Sequence, residues 1–564
     1  MIPEAQGLNP HELAHRWGFA PNIIEKRQVY KMKKRRIIQG GIVAAALCIA
    51  VVLGRSGVNS DMKEEPKTVK EQTESTEKEE DGLSQEQQEM LEKISKTYDV
   101  EEQKEIASRL EEKKKSQDYT INNMLIEQNP FGTNNQSLYV YFNTDEPMNV
   151  SYTIHVKDSS ASDFAQNVYQ TERYQTEHEF QVIGLVPNME NQITFFLTRE
   201  DGSTDTKEIV FEMGDTLGTE EVKLEQEVKG NVEDLEEGLY VVLGNDSEKL
   251  NFMYYYDNNG VLRGEVPLLG YRSCRLIFEQ DYMYYSISET KMVQVNRLGQ
   301  VTQVYELGNY ELHHDYVFDD NGNMLILATD KTQDSVEDIV IKLDVNSGTV
   351  TEILDLGDLF GSYKAECQKN SDEKLDWMHI NTIQWIGNGS ILLSSRETSS
   401  IIKIDNVYDS PTVSYIIGEK SVWADTEYES LVFQKNGDFT IQGGQNSITY
   451  VKDENLSDGQ YYVDMFHNNI EINEISYYYK YLIDENTGSF ELTDSFEVPY
   501  SDCGSSVQNL DENTVVDSGR QGVFGEYNKN HELIASFQMD VETFVYRVYK
   551  YDFEGFYFAG SQKE

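Results

Sequence analysis

The sequence of 564 residues is poor in cysteine and in basic side chains. Its four cysteines, at positions 48, 274, 367 and 503, match no paired metal-binding spacing, which argues against a zinc framework and a disulfide-dense scaffold. Lysine and arginine number 48 against 99 aspartates and glutamates. Because so acidic a body repels phosphate backbones, the composition predicts that it binds no nucleic acid. An apolar content of 38% excludes a wholly disordered chain.

One long apolar run, IIQGGIVAAALCIAVVLG, occupies residues 37–54. Its 18 residues fall near the lower end of the length, about 17 to 25, that spans a bilayer. The basic cluster KMKKRR precedes it, so the positive-inside rule predicts a cytoplasmic tail at residues 1–36, a transmembrane anchor at 37–54 and an extracellular or periplasmic body. A cleaved signal peptide and a buried core helix are the alternatives. We predict a single-pass protein of the cell membrane.

Three cysteines then lie outside the membrane, Cys274, Cys367 and Cys503. An odd number allows one disulfide and one free thiol, and the sequence does not fix which residues pair.

The segment that follows the predicted anchor changes character twice. Residues 55–82 are dense in Glu, Lys and Thr, the composition of a solvated acidic linker. Residues 83–118 begin with a capping box, Ser84 with Gln87, and carry apolar residues at steps of three and four, which predicts a helical stalk. The stalk either docks to a partner, which includes formation of a homodimer, or packs on its own domain.

The rest of the chain has an all-β pattern. Residues 119–215 show alternating strands and turns that predict a small β-sandwich, in which His155 and His178 are structural. After an acidic linker at 220–237, an apolar strand ending in Asp or Asn and followed by a turn recurs six times over residues 228–564. We therefore predict a six-bladed β-propeller, with one blade for each marker residue. The markers are Asp257, Asn296, Asp344, Asp405, Asp484 and Asn528.

Extra residues before the fourth and fifth markers point to a functional rim. In a propeller, the residues before each innermost strand and those after the second strand share one mouth of the channel. This rule gathers His313 and His314 of the third blade; His379, Asn381 and Arg396 of the fourth; Gln445 and Asn446 of the fifth; and Arg520 of the sixth. For the fifth blade it takes residues 437–451 as the second strand.

Histidines and an arginine at one mouth of an acidic protein predict an anion site, suited to sulfate or phosphate esters. The alternative is that these side chains only satisfy buried carboxylates such as Asp315 and Asp376. No metal and no cofactor is predicted.

Several long segments, in order, resemble the bacterial arylsulfate sulfotransferase family. They are NPFGTNNQSLYVYFNTDEP at 129–147, HHDYVFDDNGNMLILATD at 313–330, DWMHINTIQW at 376–385, SSRETSSIIKI at 394–404, GDFTIQGGQNS at 437–447 and GVFGEYNKN at 522–530. The resemblance implies a six-bladed propeller with a small N-terminal β-domain. It also implies transfer of a sulfuryl group from an aryl sulfate donor to a phenolic acceptor without a nucleotide sulfate donor.

The resemblance further implies a sulfated histidine intermediate, held by two other histidines, an asparagine and an arginine. Carried over by motif, these supporting residues are His313 or His314, His379, Asn381 and Arg396. The nucleophile itself does not carry over, because Asn446 stands where the family has histidine. A carboxamide nitrogen is neither basic nor a useful nucleophile.

Three functions therefore compete. The chain is an active arylsulfate sulfotransferase, an impaired propeller that binds aryl sulfates or related anions, or a structural or adhesive propeller. His467, in the same predicted blade as Asn446, either takes over as nucleophile or is an exposed histidine at a strand end.

Overall fold

A computed structural model describes six stretches of the chain: residues 85–157, 161–244, 251–370, 373–470, 474–541 and 544–560. The predicted tail, anchor and linker, residues 1–82, lie outside the described residues, as does Ser84 of the capping box. Within the described stretches, no helix is both long enough and apolar enough to cross a membrane.

Two helices open the described chain, α1 over Gln85–Thr97 and α2 over Val100–Ser116. The side chain of Asp99 caps α2 by accepting hydrogen bonds from the first free backbone N–H groups. The fully buried Gln103 donates to the carbonyl of Phe131 at 2.8 Å and accepts from the N–H of Val301 at 3.0 Å. The helices therefore pack on the β-structure of their own chain, as one of the two interpretations of the stalk requires.

The first sheet is organised by the 20-residue strand β2, Ser137–Val156. The first half of β2 pairs with β1 and β4, and its second half pairs with β3 and β5, which in turn pairs with β6. The rings of Phe180 in β4 and Phe195 in β5 meet edge to face, with 6.3 Å between centroids. The two halves therefore share an apolar core. The partner strands are β1 Leu125–Gln128, β3 Phe164–Asn167, β4 Gln175–Ile183, β5 Glu190–Thr198 and β6 Thr204–Glu212.

Both histidines of this sheet have local partners. His178 is buried, stacks on Phe142 and contacts Oε1 of Gln170 through Nδ1 at 2.7 Å. His155 faces solvent and contacts Oδ1 of Asp163 at 2.7 Å.

Six further sheets follow along the chain, four of them with four strands and two with five, and most of the paired strands are antiparallel neighbours in sequence. In one of the five-stranded sheets a short extra strand joins the edge through a parallel pairing. In chain order the strands are β7 Glu225–Lys229, β8 Leu239–Val242, β9 Phe252–Tyr256, β10 Leu262–Pro267, β11 Ile277–Glu279, β12 Tyr282–Ser288, β13 Lys291–Asn296, β14 Val301–Glu306, β15 Tyr310–Phe318, β16 Asn323–Asp330, β17 Ile339–Asp344, β18 Thr349–Asp355, β19 Ile380–Gly387, β20 Ser390–Ser395, β21 Ser400–Asp405, β22 Thr412–Ile417, β23 Gln434–Asn436, β24 Asn446–Val451, β25 Gln460–His467, β26 Ser476–Asp484, β27 Ser489–Val498, β28 Ser506–Asn509, β29 Asn513–Ser518, β30 Val523–Asn528, β31 Leu533–Gln538 and β32 Val548–Tyr551. Two short helices, α3 Leu356–Leu359 and α4 Gly361–Lys364, follow β18.

Distant segments complete two of these sheets. The C-terminal strand β32 pairs with β8, and β7 pairs with the last strand of the final sheet, β31. The sequence predicted an acidic linker at 220–237, so β7 corrects that prediction. Its backbone hydrogen bonds to β31 order a segment whose side chains alone do not look like a strand.

Each of the six predicted marker residues ends the third strand of one sheet or directly follows it. In five of them the side-chain oxygen accepts backbone N–H groups of the turn, as Oδ1 of Asp344 does from Asn346 and Ser347. Asp405 instead accepts from the hydroxyl of Ser390. The markers are therefore turn residues, as the repeat predicted.

Candidate functional site: a histidine and carboxylate cluster

Three loop or bulge positions with unusual backbone form the centre of the site. His314 lies in a β-bulge of β15, His379 directly precedes β19, and Glu337 lies in the loop between β16 and β17. All three have positive φ, at 54°, 48° and 58° respectively. Residues other than glycine adopt this left-handed conformation at a cost, which is met most often at functional sites.

The three predicted histidines of the rim come together. Nδ1 of His313 lies 3.0 Å from Nδ1 of His314, and the rings of His314 and His379 are 4.9 Å apart between centroids. Nδ1 of His379 lies 2.9 Å from Oδ2 of Asp376 and 3.0 Å from Oε2 of Glu337. Two carboxylates thus lie beside the Nδ1 edge of the His379 ring. We call these five residues the histidine cluster.

The environments of the histidines differ sharply. Burial lowers the pKa of His313 to about 3 and that of His314 well below its ordinary value. Burial alone would also lower the pKa of His379, but the hydrogen bond to Asp376 and the charge of Glu337 outweigh it and raise that pKa. His379 is therefore the most basic imidazole of the cluster.

Two arginines face the cluster. The backbone N–H of Arg396 donates to the carbonyl of His379 at 3.1 Å, and its side chain also contacts Glu397. The guanidinium of Arg272 lies 4.1 Å from the ring centroid of Tyr546. Burial raises the pKa of Glu337, and the positive charges of His379, Arg272 and Arg396 oppose that rise. Arg272 and Arg396 are thus cations beside the cluster that can attract an anion.

Sequence reasoning missed Glu337, Arg272 and Tyr546. Tyr546 donates to the carbonyl of His314 at 2.6 Å and supports the bulge, while Nε of Arg272 has no hydrogen-bond partner within the described residues. A pair of arginines in an otherwise base-poor segment, YRSCR at 271–275, was the available signal.

The interpretation that the rim residues only satisfy buried carboxylates holds in part. His379 does contact Asp376. Asp315, in contrast, is held by other residues: Arg275 binds both of its oxygens at 2.7 and 2.8 Å, and Nη1 of Arg547 lies 3.2 Å away. His313 and Arg396 are therefore not the counter-charges of Asp315.

Asn381 and Gln445 are fully buried and tie neighbouring strands together. Nδ2 of Asn381 donates to the carbonyl of Gln445 at 2.8 Å. Nε2 of Gln445 donates to the hydroxyl of Ser394 and to the carbonyl of Ser395, both at 3.0 Å. Their amide groups hold β19 next to the start of β24.

The structure corrects the strand assignment at Asn446. Residues 437–445 form no strand, and Asn446 begins β24, the first of the four consecutive antiparallel strands of its sheet, instead of ending the second. Gly443 and Gly444 interrupt the alternating pattern that suggested a strand there. Asn446 is buried and donates to Oδ1 of Asn468 at 3.3 Å.

His467 ends β25 and is only 1% exposed, so the alternative of an exposed strand-end histidine is wrong. Asn446 pairs with Phe466 between β24 and β25, and because side chains alternate along a strand, the next residue, His467, lies on the other face of the sheet. Its Nδ1 accepts the N–H groups of Gly443 and Asn469. His467 does not occupy the position of Asn446.

Arg520 follows the second strand of its sheet, β29, as predicted. Its Nε donates to Oδ1 of Asp502 at 2.8 Å, and its side chain is 40% exposed. Burial raises the pKa of Cys503 to about 11, and the charges of Arg520 and Arg396 both oppose that rise. The two arginines therefore face the same cysteine. Cys274, Cys367 and Cys503 are all free thiols.

Two overlapping sets in the cluster could hold a metal ion: His313, His314 and Glu337, and Glu337, Asp376 and His379. The donor atoms of each set lie within 4.8 Å of one another.

A large cavity of about 820 Å³ lies elsewhere. Its wall includes Gln384 of β19, Thr449 and Val451 of β24 and Asn509 of β28. These residues lie toward the C-terminal ends of their strands, whereas Asn381 and Asn446 lie at the N-terminal ends. The cavity is thus separate from the histidine cluster.

Comparison with known proteins identifies the family. Residues 224–551 match the family described as arylsulfotransferase (ASST), and residues 125–214 match the arylsulfotransferase Ig-like domain. The first match covers more than half of the chain, so the chain belongs to the arylsulfotransferase family. No curated protein matches the chain.

The chain also has distant structural likenesses. A putative 6-phosphogluconolactonase from Bacteroides fragilis has 9% identity and a TM-score of 0.34, over 72% of this chain and 98% of that one. An auxiliary nutrient binding protein from Bacteroides thetaiotaomicron has 10% identity and a TM-score of 0.30, over 75% and 99%. The WD40 domain of Toxoplasma gondii coronin has 9% identity and a TM-score of 0.30, over 57% and 75%. These likenesses define neither fold nor function.

Proposed function

We propose that this chain transfers a sulfuryl group from an aryl sulfate to an acceptor phenol at the histidine cluster. The observation that carries the proposal is the convergence of His313, His314 and His379, which come from two family motifs, on one site beside Arg396. Fixed cations and N–H donors placed where charge develops favour transfer of a group that carries negative oxygens.

Charge decides the substrate class within this proposal. The body of the protein is strongly acidic, yet Arg272 and Arg396 both act on Glu337 inside the cluster. These cations favour a small, singly charged donor such as an aryl sulfate, whereas the strongly acidic protein repels polyanions.

We further propose that the six sheets are the blades of a propeller and that the first sheet is its small N-terminal domain. In support, β15, β19, β24 and β28 contact one another in succession, and β32 lies beside β28 while pairing with β8. This order brings the C-terminal segment back to the first of the six sheets, as closure of a ring requires.

A chromogenic aryl sulfate tests the activity. Purified full-length chain in detergent is mixed with 4-nitrophenyl sulfate, with and without excess phenol. We expect nitrophenolate release that rises with phenol concentration, together with formation of phenyl sulfate. Binding of the donor without either product would contradict sulfuryl transfer.

The second candidate function is a binding protein for aryl sulfates or related anions. Asn446 favours it, because the family nucleophile is absent at that position. In subtilisin, loss of the nucleophile from a cooperating set of catalytic residues lowers kcat on the order of a million-fold. Calorimetric binding of a non-transferable aryl sulfonate, with no turnover of the sulfate, would support this candidate.

The cell-membrane location is also a proposal, and it is supported by the apolar run at 37–54 and the basic residues before it. Protease added to intact cells is expected to remove the body. Protection of the body in that experiment would overturn the orientation.

A further inference from the structure

We propose that Nε2 of His379 is the nucleophile that accepts the sulfuryl group in this chain. The inference rests on the proposed function and assigns the step that Asn446 leaves without a residue. It follows from the contacts of the four buried or partly buried histidines near the family motifs.

The carboxylates at His379 fix its tautomer. Nδ1 of His379 is hydrogen-bonded to Oδ2 of Asp376 at 2.9 Å, and because an ionised carboxylate only accepts, that nitrogen carries the proton. The charge of Glu337, whose Oε2 lies 3.0 Å away, favours the same placement. The neutral ring then has its lone pair on Nε2. An imidazole oriented by a carboxylate, with its other nitrogen directed at the reacting atom, is the arrangement that activates histidine in acyl transfer.

The strained backbone at the cluster also helps to fix the orientation of the His379 ring. His379 and Glu337 both have positive φ, at 48° and 58°. Because the hydrogen bond between the N–H of Arg396 and the carbonyl of His379 also fixes this turn, the imidazole is held in one orientation. Its side chain is 20% exposed and can be approached.

The other histidines lack one or more of these properties. Nδ1 of His467 accepts two backbone N–H groups, so its proton is on Nε2 and no lone pair is available there. His313 is only 5% exposed, its Nδ1 contacts Nδ1 of His314, and no carboxylate among the described residues orients its ring through that nitrogen. Nδ1 of His314 lies 3.8 Å from Oε2 of Glu337, which is too far for a hydrogen bond.

The proposed reaction has two displacements at sulfur. The Nε2 lone pair of His379 forms a bond to sulfur while the bond from sulfur to the aryl oxygen breaks, and the phenolate leaves. The ring becomes an N-sulfonated imidazolium, whose Nδ1–H stays hydrogen-bonded to Asp376. An acceptor phenolate then attacks sulfur, and the N–S bond breaks to restore the neutral ring. The proton lost by the acceptor phenol equals the proton taken up by the first phenolate.

A trapping experiment tests this assignment. Full-length chain reacts with 4-nitrophenyl sulfate without acceptor and is quenched at alkaline pH. We expect a burst of nitrophenolate equal to the enzyme present and a mass gain of one SO3. Tryptic cleavage after Lys374 and Arg396 isolates a peptide in which His379 is the sole histidine, and His313 with His314 falls in the separate peptide 298–331.

The decisive variant is His379→Asn. The amide can still donate to Asp376 where Nδ1–H did, but it removes Nε2. We expect loss of the burst and of the adduct, with binding of an aryl sulfonate retained. The matched control is His155→Asn, because His155 also contacts a carboxylate through Nδ1, at 2.7 Å, but lies in the first sheet, and we expect an unchanged burst.

The outcomes separate the two proposals. An adduct on the peptide with His313 and His314, or on peptide 453–480 with His467, would overturn the assignment and leave sulfuryl transfer intact. Turnover with acceptor but no adduct and no burst would do the same, because it indicates direct transfer. Donor binding with no nitrophenolate under any condition would overturn both proposals.

Discussion

Arg547 and Asp315 are far apart in the sequence but in contact, with Nη1 at 3.2 Å from Oδ1 and both side chains fully buried. Asp315 directly follows His314, and Arg547 also donates to the carbonyl of Asn381 at 2.7 Å. A residue near the C-terminus therefore contacts the strands that carry both family histidine motifs. Because the pair is buried, its loss affects the fold and the position of His314 together.

The first prediction concerns this pair. Asp315→Asn leaves Arg275 and Arg547 without their shared counter-charge, and an uncompensated buried charge costs about 3–5 kcal/mol of unfolding free energy. Arg547→Met is expected to cost less, because Arg275 still neutralises Asp315 through two hydrogen bonds. Urea denaturation measures both values.

The control for this comparison is Lys529→Met, which removes an exposed ion pair with Glu512 and should not move the unfolding midpoint. A larger loss in Arg547→Met than in Asp315→Asn would contradict the charge argument.

Features that depend on a few adjacent residues can be predicted from the sequence, whereas contacts between distant residues cannot. The marker residues, such as Asp257 and Asp344, are predictable because an Asp side chain that caps its own turn is a property of a few adjacent residues. Alternation alone misled at residues 437–445, where Gly443 and Gly444 permit a loop.

The same distinction holds at the candidate site. His379 and Asp376 are three residues apart, so the motif contained their contact. Glu337 and Arg272 reach the cluster only through closure of the fold, from loops 42 and 107 residues before His379 in the sequence. No local pattern marks Glu337, and the arginine pair in YRSCR is the only local signal for Arg272.

The second prediction concerns donor binding. Arg396→Ala and Arg272→Ala should each weaken binding of an aryl sulfonate, because both guanidinium groups face Glu337 in the cluster. Loss of a hydrogen bond to a charged group costs about 1.5–3 kcal/mol, or about ten- to a hundred-fold in Kd. Arg520→Ala should have the smaller effect, since Arg396 also contacts His379 through its backbone N–H, whereas Arg520 is paired with Asp502 outside the cluster. Equal losses in calorimetry would show that Arg520 belongs to the same site.

The third prediction is a pH profile. His379 must be neutral to react, and its pKa is raised above the ordinary 6.5, so kcat/KM should fall as pH decreases through that raised value. The groups that set it are Asp376, Glu337 and Arg396, with His314 in ring contact. In Asp376→Asn the inflection should move to lower pH and the plateau should fall.

Stability should show the opposite dependence. A raised folded pKa means that His379 contributes its full stabilisation below pH 6.5 and loses it as pH rises through the raised value.

A kcat/KM profile whose inflection is the same in Asp376→Asn and the wild type would assign the ionisation to another group.

The fourth prediction concerns metal removal. The cluster has donor sets that could hold a metal, but Nδ1 of His379 is hydrogen-bonded to Asp376, and Arg272 and Arg396 offset the charge of Glu337. We expect EDTA dialysis to leave nitrophenolate release unchanged. Lost activity that zinc restores would show instead that the carboxylates bind a metal.

The last prediction returns to Asn446. Placing histidine at this buried position restores the family nucleophile at the start of β24, where Asn446 contacts Asn468. Because His314, His379, Asn381 and Arg396 are present, Asn446→His should raise the rate of phenol sulfation above that of the wild type. In the trapping experiment, the sulfuryl adduct should then divide between His379 and the new side chain. The double variant with His379→Asn should retain the adduct only at position 446. If Asn446→His slows the reaction while the protein stays folded, then Asn446 has a positive role in catalysis and the chain departs from the family mechanism at this position.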